Sequence, residues 1–91
     1  MTTLHIVNKP PHHPRFERCL EALGDGDRLL LIESAVMAVS IPNFLPADRV
    51  NALSADLEAR GLNALMRGGI TAVDYDEMVA LTAESAQIIH W

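Results

Sequence analysis

Ninety-one residues, 49% of them hydrophobic and only 4% aromatic, carry a formal net charge of -5 from 12 acidic and 7 basic side chains. That length holds one aliphatic core and no second, so residues 1–91 read as a single domain, and an acidic balance without any Lys or Arg run argues against a surface that grips nucleic acid. The single cysteine excludes an internal disulfide framework, and apolar runs such as Leu29 to Ile32 or Ala35 to Val39 are far shorter than the ~20 residues of a membrane span.

In chain order, Leu4-His5-Ile6-Val7 reads as a short strand of branched apolar residues. Asn8-Lys9-Pro10-Pro11 closes it, since two prolines cannot extend a sheet ladder. From about Pro14 the period changes: Phe16, Cys19, Leu20 and Leu23 recur at i, i+3, i+4 and i+7, one face of a helix. Gly24 stops that helix, and Asp25-Gly26-Asp27 makes a turn. Leu29-Leu30-Leu31-Ile32 is apolar at every position, which predicts a strand covered on both faces, as in a parallel sheet flanked by helices.

Ser34 is expected to cap a short helix through Val39 that Pro42 ends. Asn43 to Asp48 reads as loop, and Arg49 to Leu53 as a weaker strand. Ser54 is expected to cap a helix over Asp56 to Arg60, closed by Gly61. After a loop from Asn63 to Gly69, Ile70 to Val73 forms the fourth strand. Asp74 is placed to cap a last helix carrying Tyr75, Met78, Val79 and Leu81, and Gln87 to Trp91 supplies a possible fifth strand. Strand-helix alternation with short connections predicts an α/β fold: three α/β/α layers around a mostly parallel sheet of four to five strands.

Few residues suggest chemistry. Cys19 is the one nucleophile candidate, with Arg15 one helical turn earlier to stabilise a thiolate. Cys19 equally belongs to the apolar stripe with Phe16 and Leu20, where a buried thiol behaves as a small inert hydrophobe. His12-His13, His5 and His90 lack the spacing of a metal site, and His5, inside a strand, is expected to be packed and hydrogen-bonded, with a place lining the crevice at the strand ends as the alternative. Asp25-Gly26-Asp27 lacks the further oxygen ligands of a cation loop. No glycine-rich phosphate loop is present, so neither metal nor cofactor is expected. Arg15, Arg18 and Arg28 offer the one route to a local basic face.

Contact surface is the stronger signal. So apolar a chain with so small an interior is expected to hide surplus surface against partners. Phe44 and Leu45 are apolar residues in a loop. Trp91, beside Ile88 and Ile89, docks either into its own sheet or into a partner's pocket, with partner contact the favoured expectation. Tyr75 and Ile89 complete the proposed interface set of Phe44, Leu45, Tyr75, Ile89 and Trp91.

Three segments carry a family likeness. Leu4-His5-Ile6-Val7-Asn8-Lys9 and Gly26-Asp27-Arg28-Leu29-Leu30-Leu31-Ile32 fit its first two strands. Asp56-Leu57-x-Ala59-Arg60-Gly61, Val73-Asp74-Tyr75 with Val79-x-Leu81-Thr82, and Trp91 fit its second half. Together they resemble the TusB/DsrH family of small sulfur-relay subunits, of DsrE/DsrF/DsrH-like fold. Two departures stand out: Pro10-Pro11 replaces a serine-proline, and Glu33-Ser34-Ala35-Val36 lacks a glycine the family often carries after the second strand.

The resemblance implies a cytoplasmic subunit of a hetero-oligomer with sibling TusC/DsrF-like and TusD/DsrE-like chains. Such complexes pass persulfide sulfur toward 2-thiouridine at the tRNA wobble position, or serve sulfur oxidation. The main sulfur-carrying cysteine sits on the TusD/DsrE-type subunit, so this chain is expected to be a non-catalytic or accessory partner. DsrH-type members carry a cysteine on the first helix, where Cys19 falls, so the alternative that Cys19 itself carries sulfane sulfur stays open. A third alternative is a homo-oligomeric small-molecule-binding or regulatory α/β module.

Overall fold

The computed structural model describes residues 2–91, the side chain of Ala47 excepted. Five strands, β1 (Thr3–Val7), β2 (Arg28–Leu31), β3 (Val50–Leu53), β4 (Thr71–Val73) and β5 (Gln87–His90), form one sheet in the order β4-β3-β2-β1-β5. All four pairings are parallel. The last segment of the chain is therefore a true strand, set beside the first.

The all-apolar second strand behaves as its composition requires. Leu29, Leu30 and Leu31 are each inaccessible to solvent. Leu29 and Leu31 face a core shared with α1 (Pro14–Ala22), the 3-10 helix Glu33–Ser40 and α2 (Ser54–Ala59); Leu30 faces α3 (Tyr75–Glu84) on the other side. Three layers result, unequal in thickness. One sheet face carries three helical segments around Phe16, Cys19, Val36, Val39 and Leu57; the other carries α3 alone, through Met78 and Leu81.

Helix starts differ from the sequence reading in two places. Ser54 does not cap α2: the helix leaves β3 directly, with Leu53 in the extended cap position and no side-chain cap bond. Ser34 likewise lies inside its 3-10 helix, which begins after Ile32. A serine marks a cap only where the backbone turns at that residue, and here the turn falls one or two residues earlier. The 3-10 form suits the burial pattern of that segment. Ala35, Val36, Ala38 and Val39 are buried, which repeats every three residues and matches three residues per turn.

Two expected caps are present. Asp74 accepts from the Glu77 backbone N–H at 2.8 Å while Glu77 Oε1 accepts from the Asp74 N–H at 3.0 Å, a complete capping box at the start of α3. Gly61, at φ 63°, follows α2 and returns its N–H to Glu58 O. Asp56 also acts at a distance from its own helix. Its Oδ2 accepts from the Glu33 N–H at 2.7 Å, which holds Glu33 at φ 52° where β2 gives way to the 3-10 helix.

Candidate interaction site

The sheet order creates a reversal beside β1. The chain builds outward from β1 to β4, then α3 carries it back to lay β5 on the other side of β1. In open α/β sheets the crevice outside the carboxyl ends of the strands flanking such a reversal is the usual ligand position. Beside this reversal the last residue of the chain folds back onto β1.

Trp91 follows β5 and continues its ladder, donating its backbone N–H to Ile6 O at 2.8 Å. Its indole lies edge to edge with the His5 ring, the two planes 17° apart and the ring centroids 6.1 Å apart. Indole Nε1–H donates to His5 Nδ1 at 3.1 Å. His5 Nε2 in turn meets Asp27 Oδ2 at 3.0 Å. An indole nitrogen can only donate, so Nδ1 must be the acceptor and the imidazole proton sits on Nε2, which donates to the carboxylate. His5 is thus a neutral imidazole, 2% exposed, with both nitrogens committed. It has no free nitrogen for a metal or for general-base work.

Asp27 anchors the other end. Its carboxylate also accepts from the backbone N–H groups of Gly24 at 2.9 Å and Thr3 at 3.2 Å. The Gly24 N–H first, then the His5 ring and, more weakly, the Thr3 N–H hold its pKa below the ordinary value of 3.8, against the opposing effect of burial. The Asp25-Gly26-Asp27 turn is present, with Gly26 at φ 82°. What the sequence did not disclose is that Asp27 ties the turn to β1 and, through His5, to Trp91.

Two cations ring the crevice. The Arg15 guanidinium lies 5.7 Å from the indole centroid, within cation–π range, and its Nη2 is 3.5 Å from His90 O. Lys9 Nζ donates to Asn8 Oδ1 at 2.6 Å and lies 3.4 Å from Trp91 O. Arg15 is therefore turned toward Trp91.

Cys19 is in the middle of α1, fully buried beside Phe16 on the face that joins the core. Burial pushes its thiol up from 9.0 to about 12. The remaining interface candidates fall in different places. Phe44 is half-buried against Phe16 and His12, at centroid distances of 5.5 and 5.3 Å. Leu45 packs on the same core and lines a cavity of about 330 Å3 with Ile41, Pro42 and Ile70. Ile89 pairs with His5 across the ladder, next to Trp91. Tyr75 is 59% exposed on α3, beside Val79 at 61%, on the opposite side of the sheet. The structure thus brings Ile89 and Trp91 together, places Phe44 and Leu45 on the same layer, and leaves Tyr75 apart. Among the described residues, no group of three or more His, Cys, Asp or Glu side chains is arranged to hold a metal ion. No helix among them is long and apolar enough to cross a membrane.

Comparison with known proteins gives one consistent result. Residues 9–88 match the family model described as DsrH like protein. The chain is 36% identical to Protein TusB of Enterobacter sp. (strain 638), with 97% of this chain and 99% of the relative covered. It is 32% identical to Protein TusB of Pectobacterium parmentieri and 34% identical to that of Escherichia coli O81, with the same coverage of both chains. The crystal structure of the ychN protein from E. coli superposes over the full length of both chains with a TM-score of 0.75 at 18% identity, which speaks to the fold.

Proposed function

The chain belongs to the DsrH-like family, and from that premise we propose that it is a non-catalytic subunit of a cytoplasmic sulfur-relay complex. Its siblings are a TusC/DsrF-like chain and a TusD/DsrE-like chain, and the latter presents the persulfide cysteine. TusB relatives matched along nearly their whole length favour the tRNA 2-thiouridine branch over sulfur oxidation.

One observation supports the non-catalytic part. The single cysteine of the sequence is inaccessible and its thiol is pushed up to about 12. A persulfide carrier needs the opposite, a thiolate at neutral pH with access for a donor protein. In this reading Cys19 packs against Phe16, and Phe44, Leu45, Tyr75, Ile89 and Trp91 contribute to contacts with the siblings.

Mass spectrometry of the intact folded protein after exposure to a persulfide donor tests this. The expected result is no added sulfur. One added sulfur atom in the wild type that disappears in Cys19→Ser contradicts the non-catalytic reading and makes Cys19 a carrier. Size measurement of the purified chain separates the third reading, since a regulatory homo-oligomer assembles without siblings.

A further inference from the structure

Two open features of the fold meet at β5. The first is a backbone edge. β5 ends the sheet on its side and has one neighbour, β1. Trp91 gives its N–H to Ile6 O, so by the alternation of a parallel ladder Ile89 also turns its backbone groups to β1, while Ile88 and His90 turn theirs outward. His90 O is accordingly met by Arg15 Nη2, at 3.5 Å, rather than by an amide of β1. Open edges are usually blunted by a lysine, a proline, a bulge or shortness. Gln87-Ile88-Ile89-His90 has neither lysine nor proline, whereas the other edge, β4, is three residues long and runs into Asp74.

The second feature is an apolar step. Ile88 pairs with Leu4, which faces α3, so Ile88 stands on that face of the sheet. Met78 and Leu81 turn α3 inward. The helix period then sets Glu77 and Glu84 on the flank that meets Asn51 and Thr71 of β3 and β4, and Tyr75 and Val79 on the opposite flank, toward β1 and β5. Ile88, Tyr75 and Val79 are all exposed.

We propose that an extended segment of a sibling subunit adds to the sheet beside β5 as a sixth strand. The source of the strand rests on the assembly reading above; its chemistry is set by the edge. Outward backbone donors and acceptors are matched by another extended backbone. Side chains of an added strand alternate between faces, and those on the α3 face lie against Ile88 and toward Val79, so apolar residues belong there. At the carboxyl end of β5 the added strand passes the Arg15 guanidinium, which has no carboxylate partner among the described residues. An acidic side chain is the complement at that end.

Amide hydrogen exchange, resolved by residue, tests this on the chain alone and in the complex captured through a tagged TusD/DsrE-like chain. The Ile88 and His90 amides are expected to exchange about tenfold or more slower in the complex. Ile89, already in the β1 ladder, is expected to be protected in both states. The sibling segment that gains protection is expected to carry alternating apolar residues and an acidic one. Capture of the siblings with unchanged exchange at Ile88 and His90 overturns the added strand and leaves the sulfur-relay reading standing. No capture at all overturns both. A protected sibling segment without an acidic residue overturns the charge assignment.

His90→Pro and His90→Ala supply a second readout. Proline removes one outward N–H and leaves the bonds to β1 in place, a change edge strands tolerate; alanine keeps the N–H. Capture is expected to be full for His90→Ala and lost for a folded His90→Pro, and equal capture of the two overturns the proposal. If His90→Pro does not fold, Val79→Ser on the exposed flank of α3 takes its place, with capture expected to fall several-fold; unchanged capture overturns the proposal.

Discussion

The imidazole of His5 has a fixed tautomer because its two neighbours leave no choice, and single substitutions can read this. Trp91→Phe keeps an aromatic ring, smaller than the indole, but removes the one donor to Nδ1. It should cost about 1–3 kcal/mol, the penalty for a buried acceptor left unpaired, measured by urea unfolding. Trp91→His, which restores a ring N–H, should recover part of it.

Asp27→Asn tests the other end of the chain of bonds. The substitution turns charge-assisted bonds into neutral ones and should cost about 1 kcal/mol near neutral pH. The sign of its pH dependence follows from the lowered pKa. A carboxylate whose folded pKa lies below its unfolded value stabilises the fold fully above the unfolded value, and the effect disappears as pH falls through the folded one. The stability gap between wild type and Asp27→Asn is therefore expected to close below the ordinary value of 3.8. A gap that widens in acid contradicts this assignment. None of this was legible from the residues alone. His5 and Trp91 are 86 positions apart, and no local pattern links a strand histidine to a turn aspartate. His5 was recognisable as packed and hydrogen-bonded, but its partners come only from the sheet order that places β5 and β2 on either side of β1.

Elements show where sequence patterns were sufficient. Leu29 to Leu31 announced a doubly covered strand because no half-exposed strand is apolar at every position. The Phe16–Cys19 face announced α1 by its period, and Asp74 announced the start of α3 as a capping residue, to which the structure adds the reciprocal bond from Glu77. The serine caps were misplaced because Ser is equally at home in the first turn of a helix. The contrast makes a paired prediction. Asp74→Ala should destabilise the protein by about 1 kcal/mol, while Ser54→Ala should lie within about 0.5 kcal/mol of wild type, the usual range for a position without a special contact. Thermal unfolding of the two variants decides, and equal losses contradict the cap assignments.

At the scale of the whole molecule, the sheet is clothed unequally. Three helical segments cover one face and α3 covers the other, with Tyr75, Val79 and Ile88 exposed on or near that thinner side and Met37 and Leu65 exposed elsewhere. Trp91, for which both a partner contact and docking on its own sheet were open, is docked on its own fold, hydrogen-bonded to His5 and with Arg15 over its ring. A sheet face covered by α3 alone, with Tyr75, Val79 and Ile88 exposed, suits the proposed role of a subunit that completes an assembly.

Co-expression of this chain with TusC/DsrF-like and TusD/DsrE-like chains from the same genome, followed by mass measurement of the complex captured through a tag on the TusD/DsrE-like chain, addresses that role most directly. The predicted result is a single species that contains all three chains and survives when Cys19 is replaced by alanine. Recovery of the tagged chain and its other sibling without this one, while this one elutes alone as a monomer, would contradict it.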